Sequence, residues 1–149
     1  MRCDRIVLHR LIAMKKTYSE MIQYADFLDR IKYLQVHGQV GIETFGFDRY
    51  LNQALYKSKE WLQVRNQVIM RDNGCDLAHP EYTIYGRLII HHIEPLTEED
   101  ILERSPKVFD LDNLVCCSIA THNAIHYVSE DLSIFAPVER RPNDTCPWK

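Results

Sequence analysis

Between Arg87 and Val128 the hydrophobic pattern switches from a helical repeat to two short extended runs and then back to a helix. Leu88-Ile89-Ile90-His91-His92-Ile93 is β-branched and apolar. A turn at Tyr85-Gly86 precedes the strand it predicts, from Arg87 to Ile93, and Pro95 ends it. Leu114-Val115-Cys116-Cys117 predicts a second strand, and Ile119 to Val128 a helix carrying His122 and His126. The connection between the strands holds a capped acidic start at Thr97-Glu98-Glu99-Asp100 for a short helix to about Arg104, and then reads as loop from Pro106 to Asp112. A connection of about twenty residues is longer than ordinary ones, which favours a functional role. The order strand, long loop, strand, helix restricts the chain to an α+β class.

Four of the seven histidines fall on this unit, with Asn113 between the two pairs. Imidazole serves both as a transition-metal ligand and as a proton acceptor near neutral pH. His122 and His126 are four apart, so on a helix they share one face with roughly 5–6 Å between Cβ atoms and can bind one ion. His91 and His92 point to opposite faces of a regular strand. Both reach one site only if the strand end bends or bulges, or if metal and water lie on different sides of it. Pro95 and the loop favour a distortion.

Upstream, Thr17-Tyr18-Ser19-Glu20 offers a cap and acidic first turn for a short helix. Phe27, Ile31 and Leu34 follow at helical spacing. Gly38, Gly41 and Gly46 mark a loop or linker, and Phe47 to Tyr56 predicts another helix. Ser58 caps the next, which contains Trp61, Leu62, Val64, Val68 and Ile69 and ends at Asp72-Asn73-Gly74. Cys75-Asp76-Leu77 reads as a short strand. Residues after Asp131, with Pro137, Pro142 and Pro147, read as an extended tail. Three parts follow: a helical extension over 1–56, a central domain over 57–130, and the tail over 131–149. Met14-Lys15-Lys16 reads as an alternative start, which leaves open whether 1–13 belong to the fold.

With 149 residues, 46% of them hydrophobic and 26% charged, the chain suits one globular domain. It has no apolar run long enough to span a membrane. Five scattered cysteines argue against a disulfide framework and for reduced thiols in a cytoplasm; Cys75, Cys116 and Cys117 read as small core residues. A net charge of −3 excludes a global basic field. Any nucleic-acid contact therefore needs a local patch, for which Arg65, Arg71 and Arg87 are the candidates with Lys57 and Lys59, diluted by Glu60 and Asp72. The acidic stretch from Glu98 to Asp112 would face away from phosphates. His37 and His79 read as surface residues, Glu94 as a solvated loop residue and Asn123 as structural.

The combination of His91-His92-Ile93-Glu94-Pro95-Leu96, Leu111-Asp112-Asn113-Leu114 and His122-Asn123-Ala124-Ile125-His126 resembles the HNH, or ββα-metal, nucleases. The resemblance covers roughly Trp61 to Tyr127. Trp61, Arg65, Val68-Ile69 and Arg71-Asp72 look like the preceding helix of phage-encoded members, and the Asp144-Thr145-Cys146-Pro147-Trp148 ending is similar to small phage proteins of this type.

The resemblance implies a ββα-metal core and hydrolysis of DNA phosphodiesters, leaving 5′-phosphate and 3′-hydroxyl ends. By position His92 would be the general base, its ring oriented by a loop carbonyl, and Asn113 would tie the loop. His91, His122 and His126 would hold one divalent ion, with His91 where many members have aspartate. Magnesium, manganese, nickel, cobalt and zinc all suit such a set. The implied setting is a host bacterial cytoplasm, with DNA as partner and, by analogy, phage terminase or portal proteins in packaging or processing. Many members carry two Cys-x-x-Cys pairs for a structural zinc. Here Ser118 and Thr121 stand at one pair, and Cys75 is followed by Ala78 at the other, so no structural zinc is expected and apolar packing from Phe27, Leu34, Phe47 and Leu51 should offset its loss. Two other readings stand beside this one: a non-cutting HNH relative that binds DNA or a partner, and a structural zinc module built on the four histidines.

Overall fold

The computed structural model describes residues 15–35, 49–127, Leu132 and Phe135, with backbone alone for 49–52. The predicted Gly-dotted loop, the tail and residues 1–13 lie outside these, as do the side chains of Phe47 and Leu51. Within them the protein is mixed α+β, with seven α-helices and one two-stranded antiparallel sheet.

Helix α1 (Tyr18–Met21) starts at Thr17, whose side chain accepts from the Glu20 amide. Helix α2 (Phe27–Leu34) is capped by Asp26, which accepts from the Leu28 and Asp29 amides. Helix α3 (Arg49–Tyr56) leads through Ser58, which caps α4 (Lys59–Asp72). Asn73 ends α4 in the left-handed conformation, φ 53°, and Gly74 follows at φ 65°. Asparagine and glycine tolerate that backbone region best.

Strand β1 (Leu88–His92) pairs with β2 (Leu114–Ser118) in one unbroken register, from Leu88 opposite Ser118 to His92 opposite Leu114. The expected distortion at the end of β1 is therefore not found, which leaves the other arrangement, with metal and water on different sides of the strand. Pairing continues one step further, where the Ile93 amide donates to the Asn113 carbonyl at 2.9 Å.

Regular alternation sorts the sheet into two faces. Ile89, Val115 and Cys117 pack with Phe27, Ile31 and Leu34 of α2 and with Ala124 and Ile125 of α7 (Ile119–His126). Leu88, Ile90, Leu114 and Cys116 pack with Trp61, Val64, Val68 and Ile69 of α4. Full burial of one large aliphatic or aromatic side chain contributes about 1.5–3 kcal/mol. Three such residues make α2 part of the core.

The interstrand connection is more ordered than expected. It contains the expected short helix, α5 (Glu98–Leu102), closed at its start by a Thr97–Asp100 capping box, and also α6 (Pro106–Phe109), where a loop was expected. Pro106 sits at the helix start, where its fixed φ suits the helix and its missing N–H costs nothing. A 3-10 turn over Leu111–Asn113 leads into β2.

The Cys75–Leu77 strand is likewise replaced. Cys75 makes a single bridge to Thr83, and a turn over Asp76–Ala78 follows with Leu77 and Ala78 at φ 48° and 56°. His79 is buried and not on the surface: its Nε2 lies 3.0 Å from the Ala25 carbonyl and its ring meets Phe27 edge-on.

Ser118 and Thr121, compared above with a cysteine pair, form a polar knot around the buried Asp76 carboxylate. Thr121 Oγ1 donates to Asp76 Oδ2 at 2.6 Å, and the Ser118 amide donates to Oδ1 at 3.2 Å. Burial raises the Asp76 pKa, and these hydrogen bonds oppose the rise. The turn after α4 is thus joined to α7 by hydrogen bonds in addition to apolar packing.

The N-terminal helices also grip the connection. The Lys16 amide donates to Glu94 Oε1 at 3.0 Å, and Ser19 donates its amide and hydroxyl to Asp112 Oδ1 at 2.9 and 2.6 Å. Both ends of the loop between β1 and β2 are held this way. No described helix is long and apolar enough to cross a membrane.

Candidate functional site

His91 lies on the β1 face that meets α7, so the strand alternation aims it at the helix carrying His122 and His126. The ring centroids are 5.5 Å apart for His91 and His122, 5.0 Å for His91 and His126, and 4.3 Å for His122 and His126. One ligand atom from each residue falls within 4.8 Å of the others. Tetrahedral coordination at about 2.0–2.1 Å brings nitrogens to about 3.4 Å from one another, within reach of small imidazole rotations. His91 Nε2 and His126 Nδ1 are buried with no hydrogen-bond partner. A buried polar atom without a partner is costly. Two of them on histidines of one cluster fit a cation, which accepts both lone pairs. The three histidines could hold a metal ion.

The electrostatics favour the neutral ligand state. Burial, and then the neighbouring imidazoles His126, His122 and His92, hold the His91 pKa well below its ordinary value. Burial lowers the His122 pKa, opposed by a hydrogen bond that its ring donates to the Asn123 side chain. His126 is pushed down to about 4 by burial and by His122. Weak competition from protons keeps these nitrogens available to metal in mildly acidic solution.

His92, the next residue on the strand, faces the other way. Its Nε2 lies 3.1 Å from the Val108 carbonyl of α6. A carbonyl only accepts, so Nε2 carries the proton and Nδ1 carries the lone pair. The ring stacks on Trp61 at 5.4 Å between centroids and 22° between planes. Burial lowers its pKa to about 4, against the Val108 hydrogen bond and with Lys107 adding to the fall. His92 is therefore a neutral imidazole throughout the neutral range, with Nδ1 free of a proton.

Asn113 is fully buried at the foot of β2. Its Oδ1 accepts from the Glu94 amide at 2.7 Å, and Nδ2 donates to the Lys107 carbonyl at 3.1 Å and reaches the Glu94 carbonyl at 3.5 Å. One amide thus joins the start of the loop, the α6 segment that carries Val108, and the start of β2. Glu94 itself is not a free loop carboxylate, since it accepts from the Lys16 amide.

The three arginines differ. Arg87 is exposed just before β1, and Arg65 is half-buried on α4. Arg71 is engaged inside the protein. It pairs with Asp72, donates to the Leu111 and Leu114 carbonyls at 2.6 and 2.7 Å, and lies over the Tyr18 ring. These bonds take the place of the phosphate contact expected of Arg71. A lone guanidinium beside the carbonyls of a chain reversal makes several hydrogen bonds at once, and nothing in the sequence distinguishes it from a surface arginine.

The resemblance implied a loop carbonyl on His92, which the structure supplies from Val108, but the contact of Trp61 with His92 was not expected. The carbonyl of Val108 is backbone, without a side-chain signature. Trp61 carried the one available signal, a large aromatic on the helix before the site.

The neutral state of these rings predicts the acid behaviour of metal-free protein. His92 and His126 titrate near 4 when folded and near 6.5 when unfolded. Below about 6.5 the unfolded chain binds more protons, so the stability present above that pH is lost as pH falls through about 4. Thermal melts in EDTA from pH 7.5 to 4 should show Tm falling steadily across this window. A flat Tm there would contradict the environments described for the two rings.

Comparison of the chain with protein-family models, curated proteins and solved structures finds no match.

Proposed function

We propose that this protein is a metal-dependent endonuclease of the HNH type that hydrolyses DNA phosphodiesters, and that β1, its long connection, β2 and α7 are its ββα-metal core. One observation carries the reading. Three imidazoles converge with two buried, unpartnered ring nitrogens, and the adjacent strand residue is a histidine held in one tautomer by a loop carbonyl. A purely structural metal site is normally closed by four protein ligands. Among the described residues three are present, which favours coordination positions left for water and phosphate.

His91, His122 and His126 would hold the ion. When bound, it supplies Lewis-acid stabilisation of the charge that develops on the phosphorus oxygens and on the leaving 3′ oxygen. His92 Nδ1 takes the proton from the attacking water, while its Nε2–H stays on the Val108 carbonyl. Bond formation at phosphorus and departure of the 3′ oxygen, which takes its proton from solvent water, leave 5′-phosphate and 3′-hydroxyl ends. A base whose pKa has been driven down is fully available yet has modest proton affinity. A phosphodiester anion seated beside it raises that affinity, because opposite charge favours the protonated ring. Asn113 does not touch substrate in this scheme: it holds the loop that presents the Val108 carbonyl. The imidazole set suits zinc, nickel, cobalt and manganese, and also admits magnesium.

Purified protein incubated with supercoiled plasmid should produce nicked or linear DNA with at least one of these five ions, and EDTA should stop it. Absence of cleavage with all five would refute the enzyme reading. DNA binding without cleavage would point instead to a non-cutting relative.

A further inference from the structure

The Val108 hydrogen bond alone does not fix the direction of the His92 lone pair. Nε2 lies nearer the line of the Cβ–Cγ bond than Nδ1 does, so rotating the ring about that bond moves Nδ1 further than Nε2. A hydrogen bond at the ring tip therefore holds position and leaves the ring plane soft. A flat partner against the ring face restrains the missing coordinate. Trp61 is such a partner: it is 4% exposed, and its ring is nearly parallel to His92. It is itself held from two sides. Its amide donates to the capping Ser58 Oγ at 3.2 Å, and Tyr56 meets its ring at 5.1 Å and 61°. Two aromatic residues from outside the strand–loop–strand–helix unit thus stand behind His92.

We propose that Trp61 is a positioning residue that sets the ring plane of His92 and with it the direction of Nδ1. This rests on the reading of His92 as the base. The metal ligands lie on the opposite face of the sheet, so the role predicts a selective defect. Removing the flat face lowers turnover and leaves metal affinity intact.

The test compares Trp61→Leu, which keeps apolar bulk without a flat ring, with Trp61→Phe, which keeps a smaller flat ring. Each is made in the full chain, and retention of the fold is checked by circular dichroism. With plasmid and the active ion, Trp61→Leu should lose about 10–100-fold in kcat, the scale of a misplaced catalytic group. Its KM and its zinc affinity by calorimetry should stay within about twofold, and Trp61→Phe should recover most of the loss. A second readout needs no activity. In ¹⁵N-histidine spectra of metal-free protein, His92 should keep the Nε2–H tautomer set by Val108 in all three proteins, with sharp signals in wild type and Trp61→Phe and broadened ones in Trp61→Leu. Unchanged kcat with sharp His92 signals in Trp61→Leu overturns the proposal. Loss of zinc affinity together with kcat also overturns it, since that is the signature of a general structural role. If wild type cuts no DNA while the broadening in Trp61→Leu holds, the nuclease reading fails and the ring-positioning role stands.

Discussion

Replacing His92 by alanine is expected to lower DNA cleavage by about 10²–10⁴-fold, the usual contribution of a positioned general base. Affinity for zinc or nickel should be unchanged. The separation follows from strand alternation. His91 turns towards α7 and the other two imidazoles, whereas His92 turns towards α4, with its Nε2 on Val108 and its face on Trp61. His91→Ala, by contrast, removes one of three ligands and should abolish both cleavage and tight metal binding. Calorimetry with zinc on the two variants, alongside plasmid cleavage, distinguishes them. If His92→Ala loses metal as completely as His91→Ala, the division between base and ligands is wrong and a four-histidine structural site becomes the better reading.

Asp72→Ala should be the most damaging substitution away from that site, destabilising the protein by about 3–5 kcal/mol. The Asp72 side chain is completely buried and paired with Arg71 at 2.7 Å. It also accepts the Cys116 amide at 2.9 Å, in the middle of β2. Truncation leaves that amide without its partner and leaves Arg71 with the Leu111 and Leu114 carbonyls but no counter-charge. A half-buried guanidinium and an interior amide are then uncompensated together, which is why the expected loss exceeds that of one hydrogen bond, about 0.5–1.5 kcal/mol. Urea denaturation of the variant gives the number. A loss under about 1 kcal/mol would mean that the carbonyl bonds of Arg71 carry the junction by themselves.

Much of the architecture was legible because its causes are local. Thr17, Ser58 and Thr97 start helices through oxygen atoms that accept nearby amides. Such caps act over three residues and leave a mark in the sequence. Leu88–His92 and Leu114–Ser118 are the strands because β-branched and apolar residues suit a buried pleat. The i,i+4 histidines share a helical face for the same kind of reason.

Errors came where one local signal competed with another. Cys75-Asp76-Leu77 has strand-like composition, yet the chain turns there through two left-handed residues and the buried Asp76 carboxylate organises the turn. Pro106 reads as a breaker, but at the first position of a helix it starts one. His79 reads as a surface residue, while in the fold it finds a carbonyl and an aromatic edge.

The sequence by itself determined the α+β order, the helix starts and the histidine set, because capping, periodicity and side-chain alternation act between neighbours a few residues apart. Only the tertiary structure decided which side of the sheet each histidine serves, that Arg71 is an internal clamp, and that Trp61 and Val108 hold His92. It also decided that Lys16 and Ser19 brace the loop at Glu94 and Asp112. Those contacts join residues that are far apart in the chain, and they exist only once packing has brought the elements together. A backbone carbonyl is the same in every residue, and a buried tryptophan fits any core. Their meaning comes from what the fold sets beside them.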